Sequence, residues 1–494
     1  MTRLALIALV IAGCTAGPIP TQAPSATPTP TSVASATPAA RTAATTPTAN
    51  IPDIDGQRAL EHLAFFVAPA QGGRYSASPG YDSSARYMAD RLKEIGVEPW
   101  GDNGTFFHSF RMPLVDLAAT PVLARTSPDA KAYRHRADFT ERVGGTFGSG
   151  TGEGRLAFIG SGLTTGPSDF DAVDVRGKVA LVITGGRSDP ARELAARGAV
   201  AAIYVTSGTL LRFSYISRFE GRTLPGIVVT TAVADELLAP SGKRVTELIQ
   251  AVQEQAARAG GPSPTASPAF ELDERVRVSV PLTPVREVQA TNVVGLLRGS
   301  DPDDAKRAVV VGGHLDGVGT DPDGTVFQAA NDNGSGPALT IEVARALAAR
   351  KGELRHSVVI VAFAGEEEGA FGSAAFVDAF AAVPGRRESL LGYVNLDVVG
   401  CCGTTLSAST ESDTLVERVQ KASERLGVTF VRGGRGGSDQ ESFNRRGVPG
   451  TLLNWADIRG IHTTADTIDT VSADRLRTIG RVAALVVLEM AAGR

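Results

Sequence analysis

After about residue 305 the chain alternates between short apolar runs and amphipathic stretches. RAVVVGGH, HSVVIVAFAG, LGYVNLD and PGTLLNW are each long enough for one strand. Residues 358–363, VVIVAF, are apolar without a break. Such a run is buried on both faces, so it belongs inside a covered sheet and not at its edge. Between the first two runs lies SGPALTIEVARALAAR, with Leu339, Val343, Ala346 and Leu347 on one helical face. The alternation predicts an α/β fold: a mixed, mostly parallel central sheet flanked by helices. RVRVSV and TNVVGLLRG, just upstream, alternate like antiparallel strands.

Two helical patterns open the folded part, DGQRALEHLAFF and DSSARYMADRLKEIG. In the second, Met88, Leu92 and Ile95 share a face; Asp82 or Ser83 is expected to cap its start and Gly96 its end. From about residue 120 the texture changes to GRLAFIG, GKVALVITGG, AVAAIYVTSG and LPGIVVTT, with a helix expected near 190–197. This strand-rich stretch closes on the linker-like AGGPSPTASP, residues 259–268. The expected organisation is a split domain, 51–118 and 285–494, around a small β-rich insert, 119–284. A chain of 494 residues exceeds one ordinary core, which agrees with that division.

The first residues, MTRLALIALVIAGCTAG, read as a targeting signal: Arg3, then an apolar run too short to span a bilayer. Ile11-Ala12-Gly13-Cys14 resembles a bacterial lipobox, which implies cleavage before Cys14 and lipid on that cysteine. An ordinary secretory signal is the other reading, and either exports the protein. Residues 1–14 are then a lipoprotein signal. Residues 15–50, built from Thr, Pro, Ala and Ser, are a tether with too little apolar surface to fold. The expected location is the outer side of the cytoplasmic membrane or the cell envelope, with the membrane reached through Cys14. A net charge of −4 and no basic run give no reason to expect nucleic acid. Cys401 and Cys402 are adjacent; a vicinal disulfide and two free thiols are both open.

The chemistry gathers where the apolar runs end. One run ends in His314-Leu315-Asp316. Asp332 lies in AANDNGSG before a helix, Glu366 and Glu367 follow VVIVAF, Asp397 follows another run, and His462 lies in GIHTTADT. Two histidines and three carboxylates supply the nitrogen and oxygen donors of a two-metal hydrolytic site, with two carboxylates left for proton work. The chain has only six histidines, so this set uses a third of them.

The pieces GGHLDG, ANDNGSG, VAFAGEEEGAFGS, NLDVVG, SDQESFNRRGVPG and HTTADT, in this order, resemble the co-catalytic zinc metallopeptidases. These include bacterial secreted leucine aminopeptidases, glutamate carboxypeptidases and the transferrin receptor. The resemblance implies a zinc aminopeptidase-like fold and two Zn2+ per chain. His314 and Asp397 would hold one ion, Glu367 and His462 the other, and Asp332 would bridge them. Glu366 would be the general base, taking a proton from the attacking water, and Asp316 would orient the His314 imidazole. Glu368 is expected to be a solvated neighbour. The stretch 119–284 looks like a protease-associated domain. It contains no candidate ligand, so the site is expected to assemble without it.

Some relatives carry a Tyr just before the last histidine, and this chain has Ile461 there. RGGRGGSD, residues 432–439, is expected to be a mobile loop near the site. The implied activity is removal of amino-terminal residues from peptide substrates. A carboxypeptidase using Arg432 and Arg435, a one-zinc glutaminyl cyclase, and an inactive binding protein of transferrin-receptor type are the alternatives. The last two would require lost ligands.

Overall fold

A computed structural model describes residues 51–165, 168–183, 189–212, 219–258, 266–302, 306–382 and 387–494. The signal, Cys14, the tether 15–50 and most of the linker at 259–268 lie outside these residues. Among the described residues no helix is long and apolar enough to cross a membrane.

Strand Ala308–His314 sits in the middle of the larger sheet, parallel to Ser357–Phe363 on one side and to Leu390–Leu396 on the other. Gly450–Trp455 continues the parallel set. Arg286–Leu297 runs antiparallel beside Ser357–Phe363 and carries Phe107–Leu114 and Glu98–Pro99 on its far side. Leu406–Ala408 and Phe430–Arg432 finish the opposite edge. Every residue of Ala308–His314 and Ser357–Phe363 is buried, which is what an unbroken apolar run requires. Alternate residues serve opposite faces. Val309, Val311, Val358 and Ile360 pack with the helices Gly56–Phe66, Pro79–Ile95, Ser335–Ala348 and Ala473–Ala491. Val310, Val359, Val361 and Phe363 pack with Phe376, Val377 and Phe443.

Helix Gly56–Phe66 is tied to helix Ser335–Ala348 by the buried carboxylate of Glu342. That carboxylate accepts from Arg58 Nε at 2.9 Å and lies 3.4 Å from His62 Nε2. Helix Pro79–Ile95 ends, as expected, at Gly96 in the left-handed region (φ 87°). Its start differs from expectation. Ser78, not Asp82 or Ser83, is the cap, accepting from the Tyr81 N–H at 3.2 Å. Pro79 fixes the first helical φ and has no N–H to satisfy, so the helix begins there.

The insert has its own sheet and its own core. Its strands lie in the order Lys131–Ala132, Val122–Ser127, Phe270–Val280, Gly150–Phe158, Val179–Val182, Ala201–Thr206, Gly226–Thr230 and Phe139–Arg142. Helices Ala191–Arg197, Thr231–Leu238 and Val245–Arg258 accompany it, so the insert is less purely β than expected. The chain enters and leaves it at neighbouring points. The Thr283 N–H donates to the Asp116 carbonyl at 2.8 Å, and the Ala118 N–H to the Pro281 carbonyl at 2.9 Å. Cys401 and Cys402 are bonded to each other in this structure.

Candidate metal centre

The parallel strands deliver their side chains at their carboxyl ends, where α/β sheets place ligands. His314 is the last residue of its strand, and Asp397 follows Leu396 directly. Glu366 and Glu367 follow Phe363 by three and four positions. Asp332 lies in the turn before helix Ser335–Ala348, and His462 in the loop after Gly450–Trp455.

These residues form two clusters that share one carboxylate. His314 Nε2 lies 3.4 Å from Asp332 Oδ1 and 3.3 Å from Asp397 Oδ1. His462 Nε2 lies 3.0 Å from Asp332 Oδ2 and 3.4 Å from Glu367 Oε2. Within each cluster the candidate donor atoms fall within 4.8 Å of one another. Glu366 Oε2 stands 3.9 Å from His314 Nε2, beside the clusters without belonging to either.

The residues fit a cation on their own chemistry. Both ring nitrogens of His314, Glu367 Oε1 and Asp397 Oδ1 are buried and have no hydrogen-bond partner among the described residues. Buried polar atoms are ordinarily paired, and leaving one unpaired costs about 1–3 kcal/mol. Three of these atoms, His314 Nε2, Glu367 Oε1 and Asp397 Oδ1, belong to the groups that make up the two clusters, and imidazole and carboxylate suit zinc. The charge balance points the same way. Burial, together with the neighbouring acids, raises the Glu367 carboxyl to about 8 despite the two histidines. Burial also lifts Glu366 well above the carboxylate range, with the negative charges of Asp439, Glu367 and Asp397 adding to it. Burial alone would lower the imidazoles. The facing acids reverse this, bringing His462 up to about 10 and His314 well above its ordinary value. Asp332, between the two rings, is held low against its burial by the imidazoles it faces. The centre carries more buried acid than its two histidines neutralise.

A second layer fixes this layer. Asp466 accepts from the backbone N–H groups of Asn331 and Asp332 at 2.7 and 3.0 Å, pinning the turn that presents the shared carboxylate. Within that turn the peptide joining Asp332 to Asn333 is cis. Ser438 Oγ donates to Asp397 Oδ2 at 2.8 Å and accepts from Asn395 Nδ2 at 2.9 Å. Residues 432–439, expected as a mobile loop, thus reach the first layer. Asp316 Oδ1 lies 3.6 Å from His314 Nδ1, too far for a hydrogen bond, while its Oδ2 accepts from the Glu367 N–H at 3.2 Å. Arg74, fully buried, donates to the carbonyls of Leu315, Phe66, Gln328 and Ala329 and so braces both ligand-bearing turns from behind.

Glu368 departs from expectation. It is 1% exposed and accepts from Ser76 Oγ at 2.8 Å. Gly369 does not turn it outward, because Ser76 arrives from the amino-terminal region to receive it. Ser76, Ser438, Asp466 and Arg74 were not singled out from the sequence. The S-D pair at 438–439 and the aspartate of HTTADT, both in quoted motifs, were the available signals.

The fold and this donor set form a candidate centre for metal ions at the carboxyl edge of an α/β sheet. Residues 292–487 match the sequence model of Peptidase family M28. An aminopeptidase of Bacillus subtilis, YwaD, is 27% identical over 233 residues, covering 44% of this chain and 48% of the relative. An aminopeptidase of Pseudomonas aeruginosa is 26% identical over 355 residues, covering 69% of this chain and 56% of the relative. The chain thus spans about half the length of these curated relatives. The fold is that of an aminopeptidase from Aneurinibacillus sp. strain AM-1, with a TM-score of 0.65 at 21% identity. That likeness covers 88% of this chain and 94% of the other. A zinc aminopeptidase from Bacillus subtilis superposes with a TM-score of 0.62 at 18% identity, over 88% and 95% of the two chains.

Proposed function

We propose that the protein is an exported, lipid-anchored aminopeptidase that uses two zinc ions to remove amino-terminal residues from peptides. The observation that carries this is the sharing of Asp332. Its two oxygens face different histidines, Oδ1 toward His314 and Oδ2 toward His462, as a bridging ligand must. His314 and Asp397 would hold one ion, and Glu367 and His462 the other. When bound, the ions supply Lewis acidity, making a nucleophile of water near neutral pH and polarising the scissile carbonyl. Glu366 belongs to neither cluster, so its carboxylate is available to take the proton of the attacking water and pass it to the departing amine. The acids of Glu366 and Asp397 would draw the free amino terminus of the substrate. Ile461 offers no hydrogen-bond donor to the developing oxyanion, so that charge falls to the centre itself. The insert would be a protease-associated domain.

A carboxypeptidase would need a basic pocket. Arg432 is exposed and lies 3.4 Å from Asp413, and Arg435 is exposed too, so neither lines a closed site. The test is a zinc count on purified protein beside a panel of free and amino-blocked peptides. About two zinc ions per chain with cleavage of the free peptides is expected. Cleavage of blocked peptides alone overturns the aminopeptidase reading.

A further inference from the structure

The insert contains no candidate ligand, yet the structure joins it to the metal centre at Arg212. The Arg212 backbone N–H donates to the His462 carbonyl at 2.9 Å. The Arg212 carbonyl in turn lies 2.9 Å from His462 Nδ1. A carbonyl can only accept, so this contact keeps a proton on Nδ1 and makes Nε2, which faces Asp332 and Glu367, the ring nitrogen able to give its lone pair to a cation. His462 sits in the left-handed region, φ 58°, which disfavours any residue with a Cβ. Two hydrogen bonds from one residue hold it there.

Arg212 is itself anchored. Its side chain is fully buried. Nε donates to Asp321 Oδ1 at 2.8 Å, and another guanidinium nitrogen donates to the Val318 carbonyl. Asp321 lies in the loop after His314 and also accepts from Arg136 of the insert, at 2.8 and 2.9 Å. Burial would raise the Asp321 carboxyl, but the Arg136 and Arg212 guanidiniums hold it below the ordinary range, so it stays charged between them. Thr140, also of the insert, donates to the Leu211 carbonyl at 3.0 Å.

We propose that Arg212 is a positioning residue for the metal centre: clamped by its guanidinium to Asp321, it presents a backbone carbonyl that fixes the tautomer and orientation of His462. The proposal rests on the metal-site reading above and runs counter to the expectation that the centre assembles without the insert. A partner that orients a ligating histidine is typically worth about 10–100-fold in metal affinity.

The test measures zinc affinity by competition with a chelator in the full chain, with thermal unfolding alongside. Arg212→Met removes the clamp from the insert side, and Asp321→Asn weakens it from the other side without removing an insert residue. Each is expected to lower zinc affinity roughly 10–100-fold. In a His462→Ala background the remaining affinity should not change, because the residue being positioned is gone. Two results overturn the proposal: unchanged affinity in both folded variants, or the same loss with and without His462, which would mark a general loosening of the fold. If the unmutated protein binds no zinc, the metal-site reading fails instead. Should Arg212→Met fail to fold, Asp321→Asn decides alone.

Discussion

The Ser76 hydroxyl donates to Glu368 Oε2 at 2.8 Å, across 292 residues of chain, and accepts the Gly365 N–H at 3.0 Å. One side chain from the amino-terminal region thus fixes both ends of the turn that holds the three consecutive acids. Ser76→Ala should cost about 1–3 kcal/mol, since it removes a buried hydrogen bond to the Glu368 carboxylate. Glu368→Ala should cost a similar amount. Both should keep the zinc content of the parent. Thermal unfolding of the two single variants and the double variant, which should cost less than the sum, checks the pairing.

The neighbouring acids should separate by phenotype. Glu366→Gln is expected to keep its zinc and its melting temperature while losing turnover about 100- to 10,000-fold, the usual cost of a general base. Glu367→Gln is expected to lose zinc and melt earlier, because a bound ion stabilises the folded state by mass action. Excess zinc should partly restore Glu367→Gln and leave Glu366→Gln inactive. Zinc content and turnover, each measured with and without added zinc, distinguish them. Loss of zinc from Glu366→Gln would exchange the two roles.

Lipid on Cys14 should keep the protein with membranes, since several acyl chains anchor firmly where one does not. Cys14→Ser is expected to move it to the soluble exported fraction. Fractionation of cells expressing both forms checks this, and a soluble parent protein would refute the lipobox reading.

Glu342 should set part of the acid limit of stability. Burial alone would raise its carboxyl, but hydrogen bonds from His62, Arg58 and Arg345 hold it below the ordinary carboxylate range. A carboxyl depressed in the fold contributes stability above its unfolded value, and that contribution is lost as pH falls through the folded value. Glu342→Gln should therefore lower the melting temperature at pH 7. It should also flatten its decline below roughly pH 4–5, where carboxylates titrate in the unfolded chain. Melting curves of parent and variant from pH 7 to 3 test the sign.

The sheet was legible because an unbroken apolar run such as residues 358–363 admits few settings other than the middle of a covered sheet. Acids directly after such runs must lie at strand ends, so the edge where His314, Glu367 and Asp397 gather followed from periodicity. The supporting layer was not legible in the same way. Asp466 reaches back 134 residues to the Asp332 amide, and the Arg212 carbonyl meets His462 across 250. Nothing local distinguishes such a serine, aspartate or arginine from one in solvent. Glu368 was misread for that reason. The start of helix Pro79–Ile95 is different: Ser78-Pro79 carries the signal locally, ahead of the apolar spacing that begins at Met88.

The single carboxylate of Asp332 has a consequence for loading. An ion on the His314 side and an ion on the His462 side would each draw on the same group, one on each oxygen. Whatever the first arrival does to Asp332, by ordering it or by taking up its charge, changes the affinity for the second. Linkage requires the effect to be mutual and equal in free energy. With an ion on each side, the two affinities could not be tuned separately, and a substitution acting on one side would be felt on the other. A zinc titration of this protein should be analysed as one coupled equilibrium and not as the sum of two independent sites.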